Sequence, residues 1–237
     1  MPTISSLPPR LLDRLRAVLS QMEHFNNLTI EVKNEIMAAA SPRHYDAGQV
    51  IYLEGEPADF VYILESGWVK ATRMTREGRE QGLLFLHPVE IFGDIAAFTN
   101  STYPGTATAL EAVDAWVIPS GRLLAIIKRY PDLGLVVIRK LSKRVLHYIE
   151  LVEDLSLRSV EARLANSLLR NAELQGGQLI VPRRDWTTFD EMAVRLGTVR
   201  DVLGRAMKTL EVEGYLKVEK QAIVILDPKG LSERADR

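Results

Sequence analysis

Apolar residues recur every three or four positions at the start of the chain, a spacing that predicts two helices. The first predicted helix follows Pro8-Pro9 and runs from Leu11 to Met22. The second carries its apolar residues on one side and ends at Pro42, because the residue before a proline avoids helical backbone angles. The apolar residues of this second helix are Leu28, Val32, Ile36 and Met37.

From Tyr45 to about Pro119 the pattern changes to short runs of β-forming residues with glycines between or beside them. Strands this short, separated by turns this regular, predict an antiparallel roll or barrel. A short helical turn is expected inside the roll at Asp94–Phe98. The predicted strands are Val50–Leu53, Phe60–Leu64, Trp68–Thr72, Gly82–Leu86 and Ala112–Ile118.

One long helix is predicted from Leu133 to Leu157, a stretch without proline and without glycine after Gly134. Its apolar residues alternate between steps of three and four, which is a heptad seam and favours pairing with a second helix. The alternative is a single helix packed on its own domain. The seam consists of Ile138, Leu141, Val145, Tyr148, Val152 and Leu155.

The pattern after the long helix predicts a further helix, several strands and a polar tail. Ser159 is the expected N-cap of the helix, and Gln175-Gly176-Gly177 is expected to close it. Strands are predicted at Gln178–Val181 and, as a pair around a turn near Lys220-Gln221, within Tyr215–Leu226. The tail from Gly230 onward is expected to fray.

The stretch from Thr187 to Leu210 has the pattern of a helix-turn-helix. Thr188 and Glu191 form a capping box that begins a helix, and Gly197 ends it in a left-handed conformation. Thr198 is expected to cap the second helix, which can lie in the major groove of DNA, while the strands after it would form a wing. The inner face of the second helix consists of Val202, Leu203, Ala206, Met207 and Leu210.

Three charged residues point outward from this second helix. Arg200 and Asp201 lie at its N-terminal end, which meets base edges, and Arg205 lies further along. A guanidinium can donate two hydrogen bonds to guanine, and a carboxylate can accept one from cytosine. The alternative is a solvated surface helix with an Asp201–Arg205 pair at i,i+4. The order of cap, glycine turn and following strands favours double-stranded DNA as the partner.

Composition narrows the remaining classes of function. The chain has 237 residues, which suggests two domains, and 30 basic against 31 acidic residues leave a net charge of −1. The absence of cysteine excludes disulfides, cysteine nucleophiles and cysteine-ligated zinc or iron–sulfur clusters. Neither a signal peptide nor an apolar run of about 18 residues is found, so a cytoplasmic protein without membrane contact is expected. No metal site and no catalytic motif is recognised, which argues against an enzyme.

These features together resemble the transcription regulators related to the catabolite activator and the fumarate–nitrate regulator, the CRP/FNR family. The segments 48–70, including Glu54–Asp59 and Gly67–Lys70, resemble the family's cyclic-nucleotide-binding β-roll. Gly93-Asp94-Ile95-Ala96 resembles the family's phosphate cassette. The seam of the long helix resembles its dimerisation helix, and Arg200–Arg205 resembles its recognition helix. The resemblance implies an α+β fold with three parts. These are N-terminal helices and a β-roll effector domain at 1–130, a long dimerisation helix at 131–157, and a winged helix-turn-helix at 158–237.

By this resemblance Arg200 and Arg205 read guanines, Asp201 accepts from a cytosine, and Thr188 and Thr198 belong to the DNA-binding set. The family usually has glutamate where Asp201 stands. A homodimer and contact with RNA polymerase are also implied.

The effector pocket implied by the resemblance departs from a cyclic-nucleotide site. Gly105 stands in the place of the arginine that would pair with the phosphate, and Asp94 replaces the glutamate that would reach the ribose. These departures disfavour a conventionally bound cyclic nucleotide. The pocket residues assigned by the resemblance are Gly93, Asp94, Ile95, Ala96, Thr106, Ala107 and Tyr148.

The effector class stays open between a haem, another small molecule and no effector at all. The candidate haem ligands are His24, His44, His87 and His147. A sensing module whose helix-turn-helix contacts protein and not DNA is the alternative function.

Overall fold

The computed structural model describes residues 8–22, 25–78 and 80–235, apart from the side chains of residues 147 and 155. The chain divides into two compact units, Met1–Arg144 and Val145–Arg237. Helices and antiparallel strands are combined in both units, which confirms the predicted α+β class.

The N-terminal unit begins with two helices and continues as a roll of eight strands among the described residues. The helices are α1 (Pro9–Gln21) and α2 (Ile30–Ala39). The first strands are β1 (Ser41–Tyr45), β2 (Val50–Tyr52), β3 (Phe60–Ser66) and β4 (Val69–Met74). They are followed by β5 (Glu80–Leu86), β6 (Ile91–Phe92), α3 (Asp94–Thr99), β7 (Thr106–Ala109) and β8 (Val113–Pro119). Helix α4 (Ser120–Arg129) and the long helix α5 (Pro131–Leu157) come next.

The strands form two antiparallel sheets in the orders β1-β8-β3-β6 and β2-β7-β4-β5. Strand β3 has the period of two that this arrangement requires. Val61 and Ile63 belong to a core shared with α1, α2 and α4, whereas Tyr62 and Leu64 belong to a core drawn from both sheets. The β1-β8-β3-β6 sheet is therefore a layer between helices on one side and the β2-β7-β4-β5 sheet on the other.

Aromatic rings fill part of the core between the sheets. Tyr52 stacks on Tyr103 with 3.8 Å between ring centroids, and Tyr62 stacks on Phe92 at 4.8 Å. The Tyr103 hydroxyl donates to the Phe60 carbonyl over 2.7 Å, so its polar end is satisfied within the core.

The predicted strands of the roll, the helical turn at 94–98 and the long helix are all present, but four elements were missed. Strand β1 has the polar sequence Ser-Pro-Arg-His-Tyr, and β6 is only two residues long. Strand β7 consists of alternating threonine and alanine, and no helix was predicted at the position of α4. Pairing with longer neighbours stabilises such short strands, and a local pattern does not show that pairing.

The C-terminal unit contains α6 (Val160–Arg170), β9 (Glu173–Gln175), β10 (Gln178–Pro182), α7 (Phe189–Arg195) and α8 (Arg200–Val212). It ends with β11 (Leu216–Val218), β12 (Ala222–Ile225) and α9 (Pro228–Ala235). The strands form one sheet in the order β11-β12-β10-β9. The Ser159 hydroxyl accepts a hydrogen bond from the backbone of Ala162 and caps α6, as predicted.

Two predictions for this unit were wrong. Gly176 and Gly177 do not close α6, which already ends at Arg170 with Asn171 as its C-cap; they form the turn between β9 and β10. The chain from Gly230 to residue 235 is not frayed, because it belongs to α9, which packs on α6. Leu231 and Ala235 are buried there, and their spacing of four was too short a pattern to indicate a helix.

Gly67 shows how tightly the turn between β3 and β4 is packed. Its φ is +83°, and a Cβ at this position would clash with the Ala112 carbonyl oxygen and lie 2.8 Å from the Val113 side chain. Gly78 has a similar φ of +79°, but a Cβ added to Gly78 would have open space around it. The two glycines therefore separate backbone strain from steric overlap.

We expect Gly67→Ala to lower the free energy of unfolding by about 2–5 kcal/mol, since strain and overpacking add. Gly78→Ala should cost only about 1 kcal/mol, because strain alone opposes it. Urea unfolding of the full chain, followed by circular dichroism, measures both. Equal losses for the two variants would show that the Ala112 carbonyl can move aside.

Candidate nucleic-acid interface and effector region

Helices α7 and α8 form the predicted helix-turn-helix. The Thr188 hydroxyl accepts from the backbone N–H of Glu191 over 3.2 Å and caps α7. Gly197 has a φ of +63° and ends the helix as predicted. Ala193 is buried, and the Arg163 guanidinium donates over 2.7 Å to the Leu196 carbonyl, which satisfies an acceptor at the end of α7.

Thr198 does not cap the second helix. The N-cap of α8 is Val199, which has no side-chain capping bond. The backbone N–H of Thr198 donates to the Ala193 carbonyl over 2.9 Å, so Thr198 belongs to the turn. The prediction was off by one residue because the spacing of glycine and threonine does not fix where the turn ends.

Arg200, Asp201 and Arg205 are exposed on the outer side of α8, while Leu203, Ala206, Met207 and Leu210 are buried beneath it. Arg200 Nη1 lies 2.6 Å from the Asp190 carboxylate on α7, a partner that the sequence pattern did not indicate. Within the described ranges, no hydrogen bond or ion pair joins Asp201 to Arg205. The side chains of Asp201 and Arg205 therefore stay open to an external partner.

The strands after α8 place further lysines beside it. Strands β11 and β12 pair antiparallel, and the turn between them carries the exposed Lys220. Lys217 pairs with Glu219 at 2.8 Å, and Lys208 is exposed on α8. A β-hairpin with this charge next to the second helix can reach a phosphate backbone.

In the effector region, Gly93 is the N-cap of α3 and has a φ of +75°. A Cβ there would lie 3.1 Å from the Phe60 carbonyl oxygen and 3.1 Å from the Tyr62 ring, so the backbone runs close to the sheet. Ala96 is buried and Ile95 is half-buried on the same short helix. Residues 93–96 thus pack against strand β3 of the roll.

Asp94 does not face an open pocket. Its side chain is 3% exposed, and it accepts from Lys140 Nζ over 2.7 Å and from Arg144 Nη1 over 3.0 Å. The same two side chains donate to the Ile91 carbonyl over 2.6 Å and 3.1 Å. Lys140 and Arg144 lie one turn apart on α5, a spacing visible in the sequence, but their common partner was not predicted.

Burial and charge act on this cluster in opposite directions. Burial raises the pKa of the Asp94 carboxyl, but the charges and hydrogen bonds of Lys140 and Arg144 outweigh burial and hold the pKa below its ordinary value. Burial lowers the pKa of the Lys140 ammonium to about 8, although the Asp94 charge favours the protonated form. Asp94 is therefore ionised at neutral pH, and its charge favours the protonated form of Lys140.

The remaining residues of the predicted pocket contact other parts of the chain instead of facing an open space. The Thr106 hydroxyl accepts from the backbone of Glu54 over 3.1 Å, and Ala107 is fully buried. A Cβ on Gly105 would lie 2.7 Å from the Thr72 carbonyl oxygen, so this position has no room for the arginine of a cyclic-nucleotide site. Tyr148 is half-buried in the C-terminal unit, and its role in an effector pocket stays a prediction.

The described histidines do not fit a haem. The side chains of His44 and His87 are 58% and 59% exposed, and they contact Asp114 and the Pro88 carbonyl. Surface imidazoles of this kind offer no enclosed apolar site for a porphyrin. His24 lies outside the described residues, as does the side chain of His147. Within the described ranges, no group of three or more metal-ligating side chains is found.

The long helix exposes an apolar stripe. Of the predicted seam, Ile138, Val145 and Val152 are more than half exposed, whereas Leu141 and Tyr148 are half-buried. Leu155 has no described side chain. Exposed apolar residues at seven-residue spacing are typical of a helix that pairs with another copy. The stripe is completed by Leu135, Leu146, Ile149 and Leu157.

Two family models match the chain. The cyclic nucleotide-binding domain matches residues 42–130, and the Crp-like helix-turn-helix domain matches residues 162–234. The helices in the described ranges lack the combination of length and apolar content that crossing a bilayer requires.

Curated relatives and solved structures agree with these matches. The CRP-like cAMP-activated global transcriptional regulator of Mycobacterium tuberculosis is 29% identical over 198 residues, which cover 82% of this chain and 88% of that protein. The global nitrogen regulator of Synechocystis sp. is 27% identical over 198 residues, which cover 80% of this chain and 86% of that protein. A CRP/FNR-family regulator from Thermus thermophilus superimposes with a TM-score of 0.67 at 26% identity, covering 83% and 99%. FixK2 from Bradyrhizobium japonicum shares the fold with a TM-score of 0.72 at 19% identity, covering 82% and 96%.

Alkaline pH should raise the stability of the wild-type chain relative to a Lys140→Met variant. From about pH 8 to the ordinary lysine pKa of 10.5, the unfolded ammonium stays protonated while the folded one has lost its proton. The unfolded state then binds more protons, so the free energy of unfolding rises with pH. The slope due to Lys140 is at most about 1.4 kcal/mol per pH unit.

Urea unfolding at a series of pH values measures this slope. Arg139→Met, which removes an exposed cation next to Lys140 on the same helix, should keep the wild-type slope. A pH-independent difference between wild type and Lys140→Met would contradict a lowered pKa.

Proposed function

Because the chain belongs to the CRP/FNR family of transcription regulators, we propose that it is a cytoplasmic homodimer that binds near-palindromic double-stranded DNA. Two α8 helices would enter successive major grooves about 34 Å apart. In this proposal residues 1–130 sense an effector, 131–157 form the dimer, and 158–237 bind DNA. RNA polymerase is the further partner that this family implies.

The observation that carries the proposal is the arrangement of α8. Its buried face fixes the helix against α6 and α7, and its outer face presents Arg200, Asp201 and Arg205 at the end that meets base edges. Arg200 keeps Nη2 for a base while Nη1 is held by Asp190. Two guanidinium groups and one carboxylate can select guanine and cytosine in a single half-site. Thr188 and Thr198 lie in the same motif and would contribute contacts near the phosphates.

The apolar stripe on α5 supports the proposed dimer. Exposing an apolar stripe of this length to water is costly. Pairing with the same stripe of a second copy would remove that exposure. A two-fold dimer then supplies the second recognition helix that a near-palindromic site needs.

The effector of this regulator is not a conventionally bound cyclic nucleotide. The packing around Gly105 supports this part of the proposal, because no side chain fits there to pair with a phosphate. The Mycobacterium tuberculosis relative is named as cAMP-activated, and that property is not carried over to this chain.

Arg200→Ala should weaken binding to a selected DNA site by about 1–3 kcal/mol and relax selectivity at one base pair per half-site. The preferred site is first obtained by selecting bound duplexes from a random pool. Fluorescence anisotropy with that site and its single-base variants measures the change. Lys229→Ala, which removes an exposed cation on α9, serves as the control for charge loss and should leave selectivity unchanged.

Uniform weakening on every sequence would contradict base reading by Arg200. Wild-type binding that does not depend on salt, or the absence of binding, would favour a helix-turn-helix that contacts protein.

Val145→Glu should weaken dimerisation by about tenfold or more, because the charge enters a two-fold interface twice without a partner. Sedimentation velocity over a range of protein concentrations measures the monomer–dimer equilibrium. Leu174→Glu is the matched control, since Leu174 is also an exposed apolar residue but lies on β9. Unchanged dimerisation of Val145→Glu would exclude this stripe as the interface.

A further inference from the structure

Lys140 and Arg144 converge on one point of the β-roll. Both side chains donate to the Ile91 carbonyl and to the two oxygens of the Asp94 carboxylate. The Lys140 side chain is 20% exposed and the Arg144 side chain 9% exposed. The two cations thus share a largely buried site at the junction of β6 and α3.

This site needs an anion. Two cations removed from water are costly unless negative charge lies beside them, and a carbonyl oxygen supplies only a partial charge. Asp94 supplies one full charge, and Glu90 acts on Lys140 from a greater distance. The carboxylate occupies both donors at once, as a small oxyanion from solution would.

We infer that Lys140 and Arg144 form an anion site for a carboxylate or similar oxyanion, and that Asp94 fills this site from within the same chain. The built-in carboxylate ties the β6–α3 junction to helix α5 without any bound ligand. Helix α5 is continuous from Pro131 to Leu157, so the tie holds the helix that carries the apolar stripe. A small anionic effector acting at this point would have to displace Asp94.

The tie itself does not rest on the proposed DNA binding, so it is tested without DNA. Asp94→Ala removes the carboxylate and leaves a space that matches formate. The full-length variant is compared with wild type in sodium formate and in sodium chloride at equal ionic strength. Thermal unfolding gives the midpoint, and hydrogen exchange gives the protection of the amides in residues 138–144.

We expect Asp94→Ala to lower the midpoint and to speed exchange in residues 138–144 by about a hundredfold, the scale expected when one partner of a buried ion pair is lost. Formate should restore both readouts in this variant, chloride should not, and wild type should not respond to formate beyond the chloride effect. Asp13→Ala, which removes an exposed carboxylate on α1, should behave like wild type.

Asp94→Asn keeps the side-chain shape and removes the charge, so it covers the case in which Asp94→Ala does not fold. It should lower the midpoint without a response to formate, because the amide fills the space. Folding of Asp94→Ala only in formate would support the inference. Wild-type stability of Asp94→Asn, or equal rescue of Asp94→Ala by chloride, would overturn it.

Discussion

A carboxylate removed from water needs opposite charge beside it, and Asp94 finds this charge on the long helix. The cluster of Asp94, Lys140 and Arg144 joins the short helix α3 to helix α5. Burial favours the neutral forms of Asp94 and Lys140, whereas the charges of the cluster favour the ionised carboxylate and the protonated ammonium. Residues 131–144 of α5 are therefore held against the roll by these ion pairs together with the buried Leu133 and Val136.

The same cluster bears on the effector pocket that the family resemblance implies. The resemblance to cyclic-nucleotide-binding members implies a ribose-contacting residue at position 94 and a phosphate-pairing cation at position 105. Here Asp94 is bound by two cations of the chain, and the backbone of Thr72 occupies the space next to Gly105. The domain keeps the architecture of its family while its polar groups are satisfied from within.

The helix-turn-helix differs, because two of the three side chains proposed to read bases have no partner within the described residues. Asp201 and Arg205 have no partner in the described part of the chain, and Arg200 has one on the neighbouring helix. Asp190 restricts the Arg200 guanidinium before any ligand is present, which lowers the entropy that a base contact would cost. Buried apolar residues fix the helix, so these exposed groups act from a rigid support.

The sequence by itself determined the elements whose signals are local. The cap at Thr188, the left-handed Gly197 and the apolar face of α8 specify the helix-turn-helix within about two dozen residues. The seam of α5 and the glycine-separated strands of the roll are local in the same sense. Thr198 and the tail after Gly230 were misassigned because caps and short helices are fixed by packing as well as by pattern.

Only the tertiary structure decided which distant residues meet. Asp94 lies 46 residues from Lys140 and 50 from Arg144, and no periodicity connects them. The overlap that excludes a side chain at Gly105 likewise depends on the pairing of β7 with β4. Charge pairing and close packing act across space and are independent of separation along the chain, so the sequence indicated where an effector site would be and the folded chain determined what occupies it.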